Sequence, residues 1–185
     1  MSAQARQHPG VKARPAPVAA AVHASAVPRF DPPTVVIASR QRTRKVDARL
    51  LKQIALELLV ELGIEQAELG IHLVGAREMA RVNWRYLRHK GSTDVITFDH
   101  AAADCGGRSR EFRLYGEMFI CVDDAVKQAV EFQTTWGSEI VRYVVHGVLH
   151  LTGHDDLKPG LRRKMKREEN RLMRRLDGTF AISEL

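Results

Sequence analysis

Between Ile140 and Leu151 the chain runs Ile-Val-Arg-Tyr-Val-Val-His-Gly-Val-Leu-His-Leu, and this stretch narrows the possible folds more than any other. A helix through it is apolar on almost every side, so it has to lie at the centre of a domain with other elements packed around it. Two histidines nevertheless interrupt it. His146 and His150 are four residues apart, which on a helix puts both imidazoles on one face with Cβ atoms about 5–6 Å apart. A buried polar ring needs a partner. One such histidine is usually a hydrogen-bonded core residue, whereas two at this spacing, followed by a glycine and acids, suit a metal ion. Gly153 ends the periodic run, and a glycine there takes the left-handed conformation that turns the chain back. His154 or Asp156 can then supply a third ligand, and the fourth position of a tetrahedral zinc site is left to water.

His-x3-His-x2-Gly-x2-Asp is also the spacing of the metzincin metallopeptidases, which carry a glutamate directly after the first histidine as general base. Gly147 occupies that position here. Glycine takes no proton, so the motif that suggests the metal also disfavours peptidase chemistry of that type.

The chain of 185 residues with 44% hydrophobic content suffices for one core without staples. Its formal net charge of +7 points to an anionic partner such as nucleic acid. Cys105 and Cys121 lack metal-type spacing and fit a reduced compartment. No run of 18 or more apolar residues occurs, so no membrane span is expected.

Six of the seven prolines fall in the first 33 residues, with no acid before Asp31. Residues 1–33 therefore read as a disordered Pro/Ala/Arg-rich extension; a transit peptide is the lesser alternative, since proline at this density opposes an amphipathic helix. A single domain is expected over 34–178, with a C-terminal tail at 179–185. Within it, Thr34–Ala38 reads as a strand, and Asp47 as the cap of a helix carrying Leu50, Leu51, Ile54, Leu58 and Leu62 to a stop at Gly63. Leu69, Ile71 and Leu73 alternate as a second strand. A helix follows around Arg77–Tyr86, then strands at Thr93–Phe98 and Leu114–Val122, joined by a surface loop across Asp99–Arg113. Asp123 or Asp124 is expected to cap a short helix that turns Val126, Ala129 and Val130 inward. Ser138 opens the histidine helix. After Pro159-Gly160 a last helix sets Leu161, Met165, Leu172 and Leu176 against a basic face of Arg162, Arg163, Lys164, Lys166, Arg167, Arg171, Arg174 and Arg175, which is either a solvated face or a nucleic-acid contact.

His146-Gly-x-Leu-His150-Leu-x-Gly-His-Asp, preceded by Asn83-x-x-Tyr86, Thr93-Asp-Val-Ile-Thr-Phe98 and Gly116-Glu-Met-Phe-Ile120, resembles the YbeY family of bacterial rRNA maturation factors. Four ordered blocks over roughly residues 34–175 carry the resemblance. It implies an α+β fold with a central mixed four-stranded sheet, about five helices, and one Zn2+ per chain on a buried central helix of the zincin type. It further implies a cytoplasmic, single-strand-specific endoribonuclease acting in 16S rRNA 3′-end maturation and late ribosome quality control, with ribosomal RNA and pre-ribosomal or ribosomal particles as partners. Where the family pattern has a third histidine this chain has Asp156, so the ligands expected are His146, His150 and Asp156, with His154 the competitor and Asp155 a turn residue or an orienting acid. Where the pattern has an arginine after the aromatic of the Asn-x-x-Tyr block this chain has Leu87, leaving Arg85 and Arg88 as candidate phosphate contacts.

The chemistry expected is metal-assisted phosphodiester hydrolysis through a zinc-bound water, or attack by the ribose 2′-OH, with no residue evident as general base except, weakly, Asp155. Two rivals stand beside it. A zinc peptidase would have to recruit Asp155 in place of the missing glutamate, and a non-catalytic assembly factor would use zinc only to staple the turn.

Overall fold

Period-two alternation in four segments and 3.6-residue periodicity in five others set the elements of the structure, a computed structural model that describes residues 32–100 and 113–185. In chain order these are β1 (Thr34–Ser39), α1 (Ala48–Glu61), β2 (Gln66–Val74), α2 (Ala76–Leu87), β3 (Val95–Asp99), β4 (Arg113–Cys121), α3 (Val122–Glu131), α4 (Trp136–Leu151) and α5 (Pro159–Asp177), then a short 3-10 turn at Ile182–Glu184. The sheet order is β1-β2-β4-β3. β1 and β4 both run parallel to β2, and β3 is antiparallel to β4. The fold is thus α+β on a mixed four-stranded sheet, as expected.

Register puts Ile37, Ile71 and Met118 side by side, and this face carries the core together with Val35, Leu69, Leu73 and Ile120. Ile140, Val141, Val144, Val145, Val148 and Leu149 of α4 are fully buried in that core, and α4 touches α1, α3, α5, β3, β4 and the 3-10 turn. The helix with almost no polar side is therefore the centre of the domain. It packs tightly on the sheet at Gly147, where an added Cβ would lie 3.0 Å from Met118 Cε and 3.2 Å from Thr97 Cγ2. The opposite sheet face is partly covered by α2, through a smaller cluster of Val74, Met79, Ile96 and Cys121.

Several local expectations shift. Neither Asp123 nor Asp124 caps α3, which starts at Val122 directly out of β4. Asp123 instead accepts hydrogen bonds from Thr43 Oγ1 and from Ala76 N at 2.5 Å, tying two distant segments together. Val130 is exposed, because only Val122, Ala125 and Ala129 of this ten-residue helix are buried. α4 opens at Trp136 rather than Ser138, with Thr135 as the cap that accepts from Ser138 N at 3.1 Å. Leu161 is exposed at the first turn of α5, while Met165, Leu172 and Leu176 are buried. Residues 179–185, set apart above as a tail, carry Ile182 and Leu185 into the core, and Leu185 O accepts from Asp47 N at 2.7 Å. The extension and most of the Asp99–Arg113 loop, with Cys105, lie outside the described residues. Among the described residues no helix is long and apolar enough to cross a membrane.

Candidate metal centre and its adjoining cavity

The two histidines of α4 converge as their spacing requires, with Nε2 of His146 and Nε2 of His150 only 3.0 Å apart. The other nitrogen of each ring is held by a fixed acceptor. His150 Nδ1 donates to the His154 carbonyl at 3.1 Å; a carbonyl only accepts, so this nitrogen carries the hydrogen and Nε2 is the ring nitrogen turned to His146. His146 Nδ1 donates to Glu169 Oε2 at 3.3 Å. Glu169 projects from α5, is 4% exposed, and also accepts from Arg142 Nη1 and Lys166 Nζ, each at 2.7 Å. Burial pushes its carboxyl up, but the hydrogen bonds from His146, Lys166 and Arg142 more than offset this and hold it at about 2. It is therefore an anion at neutral pH. The same bond to Glu169 raises the His146 pKa against burial, which lowers it.

With both Nδ1 atoms held by fixed acceptors, the two Nε2 atoms face each other at a distance that a shared proton or a metal ion between them bridges. The separation suits one ion at about 2.0–2.1 Å from each nitrogen. An outer acceptor on each ring's second nitrogen is also the arrangement that orients metal-binding histidines and raises their basicity.

The turn after α4 brings in the acid. Gly153 has φ +92°, the left-handed region that favours glycine, and His154 N donates back to Leu149 O at 2.9 Å. Asp155 Oδ1 accepts from Leu157 N at 2.9 Å, which makes it a turn residue. Asp156 then returns to the histidines, and one ligand atom from each of His146, His150 and Asp156 lies within 4.8 Å of the others. Its backbone is held by Arg162 Nε, which donates to the Asp156 carbonyl at 2.9 Å. The ring of His154 is turned to Thr152 Oγ1, 3.3 Å from Nδ1, so His154 enters the site through its carbonyl and not its imidazole. Two imidazoles and a carboxylate form a donor set that zinc accepts.

Beside this group a cavity of about 500 Å3 is lined from α3, α4 and α5 and by Asp94. Arg142, Arg162 and Lys166 face it together with His146 and Asp156. Arg85 and Arg88 do not line it. Arg85 holds its guanidinium over the Tyr86 ring, 5.7 Å from the centroid, and Arg88 is the left-handed cap of α2; both are exposed. The sequence reading missed Glu169 and Arg142 as site residues and had Arg162 and Lys166 only as members of the basic face of the last helix. One signal for Glu169 was present, since it falls on the helical stripe of Met165, Leu172 and Leu176, where an acid has to be buried and paired.

Gly147 is not positioned to be replaced by a base. Its Cα faces Met118 and Thr97, so a side chain there would enter the contact between α4 and the sheet.

Fold and site together define an α+β protein with a candidate metal centre at the end of its central helix. Comparison with known proteins narrows this class. A family model described as Endoribonuclease YbeY matches residues 36–177, and the chain belongs to that family. Endoribonuclease YbeY of Salinibacter ruber is 33% identical over 133 residues, covering 71% of this chain and 84% of that protein. Endoribonuclease YbeY of Chlorobium phaeovibrioides is 30% identical over 151 residues, covering 82% and 96%. The solution structure of TM1509 from Thermotoga maritima superposes with a TM-score of 0.56 at 23% identity, over 79% of this chain and 91% of that one, and shares the fold.

Proposed function

We propose that this protein is a zinc-dependent, single-strand-specific endoribonuclease of the bacterial cytoplasm, acting on ribosomal particles in 16S rRNA 3′-end maturation and late quality control. The observation that carries the reading is the pair of opposed Nε2 atoms, 3.0 Å apart, with Asp156 as third donor, in a chain of this family. His146, His150 and Asp156 would hold one Zn2+, which when bound supplies Lewis acidity toward a phosphoryl oxygen and a nucleophile at neutral pH. Glu169 and the His154 carbonyl fix the two rings, so little reorganisation is left for the reaction. Arg162, anchored beside Asp156, is placed to meet the charge of a phosphate near that group. The exposed Arg163, Arg167 and Arg174 of α5 add long-range attraction for a polyanion. A cavity of this size admits an unpaired nucleotide and not a duplex, which supports single-strand preference.

The test combines metal analysis with cleavage of single-stranded and duplex RNA by the wild type, His150→Ala, Asp156→Ala and His154→Ala. The expected result is about one zinc per chain, lost in the first two variants and retained in the third, with cleavage confined to single strands and following the metal. Zinc-loaded wild type that binds ribosomal particles but leaves single-stranded RNA intact would establish the staple role instead. Zinc lost from His154→Ala and kept in Asp156→Ala would reassign the third ligand.

A further inference from the structure

The cavity beside the metal group has a floor that metal binding does not use. Tyr143, one turn before His146 on α4, is 3% exposed, and its hydroxyl has no hydrogen-bond partner among the described residues. A buried hydroxyl without a partner is costly, and this one belongs to a residue that lines the cavity. Glu139, 2% exposed, lies one turn further back and also lines it. Its carboxylate accepts from Thr134 Oγ1 at 2.5 Å and is 3.8 Å from Arg142 Nε. At the rim stands Phe132, 58% exposed although it lines the same cavity, with Gln128 beside it. A large aromatic at the mouth and a hydroxyl with a carboxylate at the floor form an apolar platform with a polar end.

Charge decides what such a site accepts. Asp94, Glu139, Asp156 and Glu169 face three cations, Arg142, Arg162 and Lys166, and two of those cations are already engaged by Glu169. The floor therefore repels phosphate, whose place is nearer Asp156 and Arg162. Acceptors at the floor favour N–H groups, and burial together with the charges of Asp94 and Glu139 pushes the Tyr143 phenol well above its ordinary range, so its hydroxyl stays protonated. A flat, uncharged ring with an edge of N–H donors is a nucleobase, and stacking on an aromatic side chain is how proteins hold unpaired bases.

We propose that this cavity is a subsite for one unpaired nucleobase of the RNA strand, stacked on Phe132 with its amino-bearing edge toward the Tyr143 hydroxyl and Glu139. The inference rests on the endoribonuclease reading for the identity of the strand. It adds that the enzyme grips a base next to the phosphate it cleaves.

Abasic scanning tests it. The zinc-loaded full chain, Tyr143→Phe and Phe132→Ala are titrated against fluorescently labelled single-stranded hexaribonucleotides, one intact and each of the others lacking a single base. Rapid anisotropy gives the Kd before cleavage, and product formation is followed in the same samples. Tyr143→Phe removes only an unpartnered hydroxyl, so the fold is retained. In the wild type one abasic position is expected to weaken binding about tenfold. Tyr143→Phe and Phe132→Ala are expected to bind the intact strand about five- to tenfold more weakly and to show little further loss at that position. Variants that bind like the wild type, as they would if the hydroxyl stays closed behind the cavity wall, overturn the subsite, as does an abasic penalty that persists undiminished in both. Wild type that shows the abasic pattern but forms no product removes the endoribonuclease reading and leaves the subsite standing. Product without the pattern does the reverse.

Discussion

The end of α2 and the end of α4 are both places where the sequence sets RNA-competent side chains, and the structure supports them in different ways. At the end of α2, Arg85 rests on Tyr86 and Arg88 occupies a left-handed cap, both in solvent. At the end of α4, His146 and His150 each have one nitrogen fixed, by the buried Glu169 and by the His154 carbonyl. An exposed arginine gives up as much as about 2 kcal/mol of rotamer entropy when it is immobilised, a cost that offsets much of a single phosphate contact. The histidines have lost that freedom on folding. Charge at the first place supplies attraction, and packing at the second supplies geometry.

The largest effect expected is from Gly147→Glu, which installs the acid that the metzincin spacing lacks. Its Cβ would lie 3.0 Å from Met118 Cε, and the carboxylate would enter an apolar contact at the centre of the domain. Overpacking and an unpaired buried charge together cost several kcal/mol, on the order of the whole stability of a domain. Thermal unfolding should show loss of the cooperative transition. A folded, active Gly147→Glu protein would show that the end of α4 is far less constrained than its packing indicates.

Glu169→Gln comes next. Loss of the outer carboxylate is expected to weaken zinc binding about 10–100-fold, read by competition with a chelating dye. Stability of the metal-free chain supplies a second readout. The Glu169 pKa falls from an ordinary 4.5 to about 2 on folding, so its contribution is fully present above pH 4.5 and is lost as pH falls toward 2. The shift corresponds to roughly 3 kcal/mol at neutral pH. Urea titrations should find the wild type well ahead of Glu169→Gln at pH 7, with the gap closing toward pH 2. A gap of equal size at both pH values would remove Glu169 as the ionised anchor of the site.

What was legible in the sequence follows the range of the interactions involved. Alternation and helical periodicity are local, so all four strands and five helices were readable, as was the pairing of His146 with His150 within one helix. Two of the misreadings involve residues whose partners lie far along the chain. Asp123 looks like a helix cap because acids favour that position, yet its carboxylate is used by Thr43 and Ala76. Glu169 was hidden in a run of basic residues, although it meets His146 across the contact of α4 with α5. Arg85 and Arg88, nominated by their nearness in sequence to Leu87, do not line the cavity, and their part as phosphate contacts is a matter for RNA binding.

The smallest effect expected is from the double variant Arg85→Ala/Arg88→Ala, and it probes the comparison most directly. Two exposed cations away from the cavity act through the field around the protein, which salt screens over about 10 Å at 0.1 M. Affinity for single-stranded RNA should fall about two- to fivefold at low salt. The slope of log K against log salt should flatten by about 0.7 for each phosphate contact removed from a single strand. The positions cut and the rate at saturating RNA should stay as in the wild type, because neither guanidinium touches the group formed by His146, His150 and Asp156. If kcat falls while Kd holds, the end of α2 must reach the reacting phosphate, and the division between attraction at one helix end and geometry at the other would no longer stand.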